Sequence, residues 1–162
     1  MDEAVAGFAS RIEIDLSADM TVTIRDNGRG IPVDPHPKFK DKSALEVILS
    51  TLHAGGKFSD KVYSTSGGLH GVGISVVNAL SARVEVEIDR DGKRHAMSFG
   101  DGGELKDRLA STGDAPTDVN GTSRTGTTVR FWPDGSIFDE TDYRFQTLQE
   151  RFQVMAFLNR GL

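Results

Sequence analysis

Asp26 ends an alternating run and is followed by Asn27-Gly28-Arg29-Gly30, so a carboxylate stands beside two glycines. Backbone that a ligand can approach closely, next to a carboxylate at a strand end, suits an acceptor for an exocyclic amine such as that of adenine. The acceptor is selective, because a ring carbonyl at the same position brings no donor and leaves the acid unpaired. Asn27-Gly28 is equally a strong two-residue hairpin signal. Against the hairpin stands the following Ile31-Pro32-Val33-Asp34-Pro35, since proline lacks the amide that a paired strand needs. A second constellation is Ser66-Gly67-Gly68-Leu69-His70-Gly71-Val72-Gly73, which runs into an apolar stretch. Unobstructed amides at a helix start form an anion site suited to a polyphosphate; a flexible linker before a helix is the plainer alternative. No Gly-Lys-Ser/Thr ends the run, so it is not a P-loop. In Ala54-Gly55-Gly56-Lys57-Phe58, Lys57 is either a surface lysine or a mobile charge that reaches a phosphate. In Thr125-Gly126-Thr127-Thr128-Val129-Arg130, the alternation reads as an ordinary strand, or as one that turns a hydroxyl toward Asp26. The four histidines (His36, His53, His70, His95) form no ligand cluster and no nucleophile–base pair, so neither a catalytic nor a metal residue is assigned.

These residues need elements to hold them. Residues 11–17 and 20–25 alternate polar and apolar, and Ser17-Ala18-Asp19 between them predicts a hairpin. Residues 31–42 contain Pro32, Pro35 and Pro37 and read as a loop. Ser43 with Glu46 is a capping box that opens a helix through about His53, with Leu45, Ile48, Leu49 and Leu52 on one face. Residues 54–68 form a long irregular segment of the kind that serves as a lid. A helix from about His70 to Leu80 is apolar enough to be buried on most sides. Strands are predicted at 83–89, 93–99 and 127–132, with 100–126 a glycine-rich loop. From Thr141 to Asn159 the spacing of Phe145, Leu148, Phe152, Met155 and Leu158 is helical, with Gly161 as a natural stop. This order predicts an α+β fold: a two-layer sandwich whose mixed, mostly antiparallel sheet carries helices on one face.

The chain has 162 residues, which fits a single domain over 1–162. Its formal net charge of -5 argues against a surface that grips nucleic acid by itself, because phosphate neutralisation needs clustered Lys and Arg. With no cysteine there are no disulfides or thiolate metal sites. The longest apolar runs are too short to span a bilayer and the acidic start Met1-Asp2-Glu3 is no signal peptide, so a cytoplasmic location without membrane contact is expected.

Together, Asp26-Asn27-Gly28-Arg29-Gly30-Ile31-Pro32, Leu52 to Phe58, Ser66 to Gly73 and Thr125 to Pro133 resemble, in the right order, the ATP-binding domain of the B subunits of bacterial type II DNA topoisomerases. The stretch Val33 to Phe39 looks more like topoisomerase IV than gyrase. The resemblance implies the Bergerat-type ATP fold, incomplete at the N-terminus. It implies that Asp26 accepts the adenine amino hydrogen, helped by a water shared with Thr127, and that Gly30, Ile31 and Pro32 border adenine and ribose. Gly67, Gly68, Leu69, His70, Gly71, Val72 and Gly73 would wrap the phosphates, with Lys57 and Tyr63 contributing from the lid. Arg29 would lie at the pocket mouth in a salt bridge to Glu3. Met1-Asp2-Glu3-Ala4-Val5-Ala6-Gly7 matches the tail of the family helix that carries the general-base Glu and the Mg²⁺-binding Asn, so these two residues, the dimerising arm and the transducer domain have no counterpart. The expectation is therefore a domain fragment, monomeric by itself, that binds ATP weakly and hydrolyses it negligibly, with apolar surface left bare. The parent enzyme would use ATP and Mg²⁺ and work with DNA, an A subunit and a second B subunit. The alternatives are a nucleotide-binding module without catalysis, or a chaperone-type or mismatch-repair-type ATPase of the same fold.

Overall fold

The structure, a computed structural model, describes residues 2–52, 72–159 and 161–162. Strands Ile12–Leu16 (β1) and Val22–Asp26 (β2) pair antiparallel with Leu16 opposite Val22, as the alternation predicts. The turn between them closes through Ser17 N to Thr21 O (2.9 Å), and the Asp19 carboxylate accepts from Thr21 N (3.1 Å). A short helix, Asp2–Val5 (α1), precedes them.

Ser43 caps the helix Ala44–Ser50 (α2), its hydroxyl accepting from Glu46 N at 3.1 Å. The helix stops short of the expected His53, and Leu52 lies outside it, exposed. Helix Gly73–Ala79 (α3) begins later than expected and is not buried on most sides. Its buried residues are the polar Ser75 and Asn78, while Val76 is exposed. The reason is a narrow contact. Asn78 donates from Nδ2 to Leu49 O of α2 (3.1 Å) and Ser75 donates to Val72 O (3.0 Å), so the face turned inward is the one with hydrogen-bonding groups.

Four long strands follow: Ser81–Arg90 (β3), Lys93–Gly100 (β4), Glu104–Asp114 (β5) and Gly126–Pro133 (β6). The sheet order is β1-β2-β6-β3-β4-β5, and among the described residues every strand pair is antiparallel. Strand β5 corrects the expectation that 100–126 is all loop. Its pairing with β4 slips register at three places, and between Leu105 and Leu109, which reach the core, Asp107 is exposed. Such bulges erase the period-two pattern by which an edge strand would be recognised.

The core is the layer between α2 and the middle of the sheet. Leu45 and Leu49 pack with Val84, Val86, Ile88, Met97 and Phe99. The fold is thus the expected two-layer α+β arrangement. The last helix, Phe145–Leu158 (α4), is the exception to that order, because it contains no buried residue. Its stripe of Phe145, Leu148, Phe152, Met155 and Leu158 has the predicted helical spacing without the burial such spacing usually accompanies. Gly161, expected as the stop, lies two residues past the Asn159 cap with a positive φ of 99°.

Candidate functional site

Insertion of β6 between β2 and β3 creates the site. Ile24 pairs with Val129, so two residues on, Asp26 meets Thr127. The amide of Thr127 donates to Asp26 Oδ1 at 3.3 Å, and the amide of Gly28 donates to the same oxygen at 2.8 Å. Among the described residues no donor reaches the other carboxylate oxygen. Burial pushes the Asp26 carboxyl above its ordinary 3.8, and the two amide bonds only partly oppose that.

Two glycines permit this approach of strands. At Gly126 (φ 148°) a Cβ would sit 2.1 Å from Asp26 O, which no side chain survives. At Gly30 (φ 77°) a Cβ would lie 2.9 Å from Asp89 O and 3.0 Å from Ile88 Cγ2. The loop from Arg29 onward is then tied to the sheet. Ile31 N donates to Thr127 Oγ1 (3.3 Å), and Arg90 Nη1 donates to Gly30 O (2.7 Å). Glu3 takes the Arg29 guanidinium in a bidentate pair, Nη2 to Oε1 at 2.7 Å and Nε to Oε2 at 3.0 Å. Arg29 also lies 3.5 Å over the Phe8 ring centroid.

The hairpin alternative for Asn27-Gly28 fails. The partners of β2 are β1 and β6, and the chain beyond Gly30 enters a loop. The side chain of Asn27 faces away from this role altogether, its Oδ1 accepting from the amides of Ser10 and Arg11 (both 2.9 Å).

Of the expected site residues, the fold brings Asp26, Gly30, Ile31 and Thr127 together, with Arg29 and Pro32 on the same loop. Val72 and Gly73 stand at the start of α3. Lys57, Tyr63, Gly67, Gly68, Leu69, His70 and Gly71 lie outside the described residues. The sequence reading missed Arg90 and the backbone of Asp89. The one available signal was Asp91-Gly92, a hairpin pair that puts Arg90 at a sheet corner; both residues have positive φ, 52° and 76°. Among the described residues no group of three or more His, Cys, Asp or Glu could hold a metal ion. None of the described helices is long and apolar enough to cross a membrane.

A carboxylate and a hydroxyl at the middle of an antiparallel sheet, under a glycine-bordered loop, define the chain's class. It belongs to the histidine kinase-, DNA gyrase B- and HSP90-like ATPase family, whose model matches residues 1–137. More particularly, it is 49% identical over 162 residues to the gyrase B protein of Haloferax volcanii, covering all of this chain and 25% of that protein. It is 52% identical over 163 residues to the DNA topoisomerase 4 B protein of Rickettsia felis, again all of this chain and 24% of that protein. The chain therefore spans about a quarter of the curated relatives it matches, and relatives of both kinds match it alike. Among solved structures, the 43K ATPase domain of Thermus thermophilus gyrase B, in complex with an aminocoumarin, superposes with a TM-score of 0.81 at 41% identity. That likeness covers 99% of this chain and 38% of the other.

Proposed function

We propose that this chain is the adenine-nucleotide-binding part of the B subunit of a type II DNA topoisomerase, and that Asp26 selects adenine. One observation carries the reading: a half-buried carboxylate with Oδ1 held by two backbone amides and Oδ2 left without a donor among the described residues. An exocyclic N–H of adenine supplies that donor, whereas the carbonyl of guanine presents a second acceptor. Thr127 Oγ1 accepts from Ile31 N, so its own hydrogen remains to donate to a bridging water or to the carboxylate. Gly30, Ile31 and Pro32 border adenine and ribose. Lys57, Tyr63 and the run Gly67 to Gly73, His70 and Val72 included, enclose the phosphates. Arg29, clasped by Glu3, sits at the mouth.

The chain holds ATP weakly and hydrolyses it negligibly. Hydrolysis needs a positioned base and an offset for developing charge. Among the described carboxylates around the site, Glu3 is taken by Arg29 and Asp89 by Arg94 in two 2.7 Å bonds, while the free oxygen of Asp26 is assigned to adenine. Mg²⁺ at a nucleotide site is held by one or two protein oxygens together with the phosphates, and no step is assigned to it here. In the whole protein, ATP use would drive DNA strand passage together with an A subunit and a second B subunit in the cytoplasm, while this chain alone is monomeric.

Calorimetric titration with a non-hydrolysable ATP analogue, with and without Mg²⁺, tests the binding. We expect binding in the parent chain and its loss in Asp26→Ala. No adenine nucleotide bound at millimolar concentration would overturn the reading. Phosphate release above background that disappears in Asp26→Asn would overturn the claim of negligible hydrolysis.

A further inference from the structure

The segment Arg29-Gly30-Ile31 has no regular structure, yet its backbone lies directly over Thr127. Something must hold it there, because Gly30 adopts a positive φ of 77° and glycine has the most freedom to leave such a state. The hydroxyl of Thr127 holds one side, accepting from Ile31 N at 3.3 Å. On the other side stands the corner of the β3–β4 hairpin. There Arg90 reaches across sixty residues of sequence and donates from Nη1 to Gly30 O (2.7 Å) and to Arg29 O (3.4 Å).

We propose that Arg90 is the positioning residue of this loop, setting where Ile31 and Pro32 stand relative to Asp26 and Thr127. The proposal rests on the nucleotide reading given above. A guanidinium suits the task for two reasons. Its bonds to carbonyls are charge-assisted, and its planar donors meet neighbouring acceptors without a change of rotamer. The corner that delivers it is itself fixed. Asp91 and Gly92 close the turn, and Arg94 holds the Asp89 carboxylate bidentately, while Asp89 O abuts Gly30 so closely that no Cβ fits. Arg90 thus acts from a rigid base on a loop with little hold of its own, and affinity gained this way comes from preorganisation rather than from contact with the ligand.

The test compares the 162-residue chain with Arg90→Ala and Arg90→Lys. Three quantities are read: adenosine affinity by calorimetry, hydrogen exchange at the Ile31 amide, and melting temperature. We expect Arg90→Ala to weaken adenosine binding about tenfold and to speed exchange at Ile31. Arg90→Lys, which keeps one charged donor, should recover most of both. A role confined to global stability would move the melting temperature and leave adenosine affinity of the folded variant unchanged. Affinity and Ile31 exchange equal to the parent in Arg90→Ala would overturn the proposal, and if Arg90→Ala does not fold, Arg90→Met, which keeps the aliphatic stem and has no donor, is judged by the same two readings. A parent chain that binds no adenosine would overturn the nucleotide reading instead, and Ile31 exchange would still decide whether Arg90 holds the loop.

Discussion

Val86 and Ile24 lie in one cross-strand row, each paired with Val129 between them, yet Val86 is 0% exposed and Ile24 is 36% exposed. The difference is the second layer. Leu45 and Leu49 of α2 cover the β3–β4 side, whereas no helix of the described residues seals the β1–β2 side. Helix α4 has the apolar stripe such a cover needs and leaves much of it in solvent, Phe145 being 68% and Leu158 73% exposed. The two ends of one cross-strand row therefore differ in burial: the pattern along a strand decides which way a side chain points, and the layer above decides whether pointing that way buries it.

The seam between the halves should be the most sensitive point. Gly126→Ala would force β6 away from β2, and we expect a loss of about 3 kcal/mol or more in urea unfolding, together with loss of nucleotide binding. A nearly neutral result would mean that the strands do not meet as closely as described. Next comes a matched pair. Leu45→Ala under the covered half should cost about 3 kcal/mol, and Ile24→Ala on the bare half about 1 kcal/mol. Equal losses would erase the contrast between the halves.

Asp26 sharpens the comparison by pH. Its folded carboxyl titrates above the ordinary 3.8, so the folded state holds a proton more tightly than the unfolded chain. The stability this contributes is fully present below about pH 3.8 and is lost as pH rises through the folded value. At neutral pH the ionised carboxylate therefore burdens the fold, and Asp26→Asn should melt at the same temperature or higher. Nucleotide affinity should run the opposite way, falling as acid protonates Asp26, with a flat profile in Asp26→Asn. A parent chain whose affinity does not change between neutral pH and the folded titration point would remove Asp26 from the contact. The smallest effect is expected from Phe157→Ser on α4, within about 0.5 kcal/mol of the parent, accompanied by weaker binding of a hydrophobic dye. A large loss would show that α4 is covered in solution.

Much of both halves was legible beforehand. The β1–β2 hairpin, the Ser43 cap and the strands around 83–99 rest on local patterns, and local patterns survive folding. What escaped were features set by distant neighbours. Gly126 reads as the last residue of a glycine-rich loop until Asp26 O is placed against it. Arg90 reads as a surface arginine until Gly30 O is within reach. The β5 strand was hidden by its bulges, and the bareness of α4 could not be read from a stripe that looks the same docked or free. The site itself was half legible: Asp26 and Thr127 were named as a pair, whereas the clasp on the loop between them was not.

The position of β6 in the sheet also has a consequence for how the chain assembles. Strand β6 alone joins β1–β2 to β3–β4–β5 in the sheet, since no strand of one group pairs with a strand of the other. Partners 101 residues apart, Asp26 and Thr127, meet only when β6 is seated, so their meeting closes a long loop. A nucleotide that needs both residues can bind only the closed sheet, so its presence would trap the completed fold and slow the strand's escape.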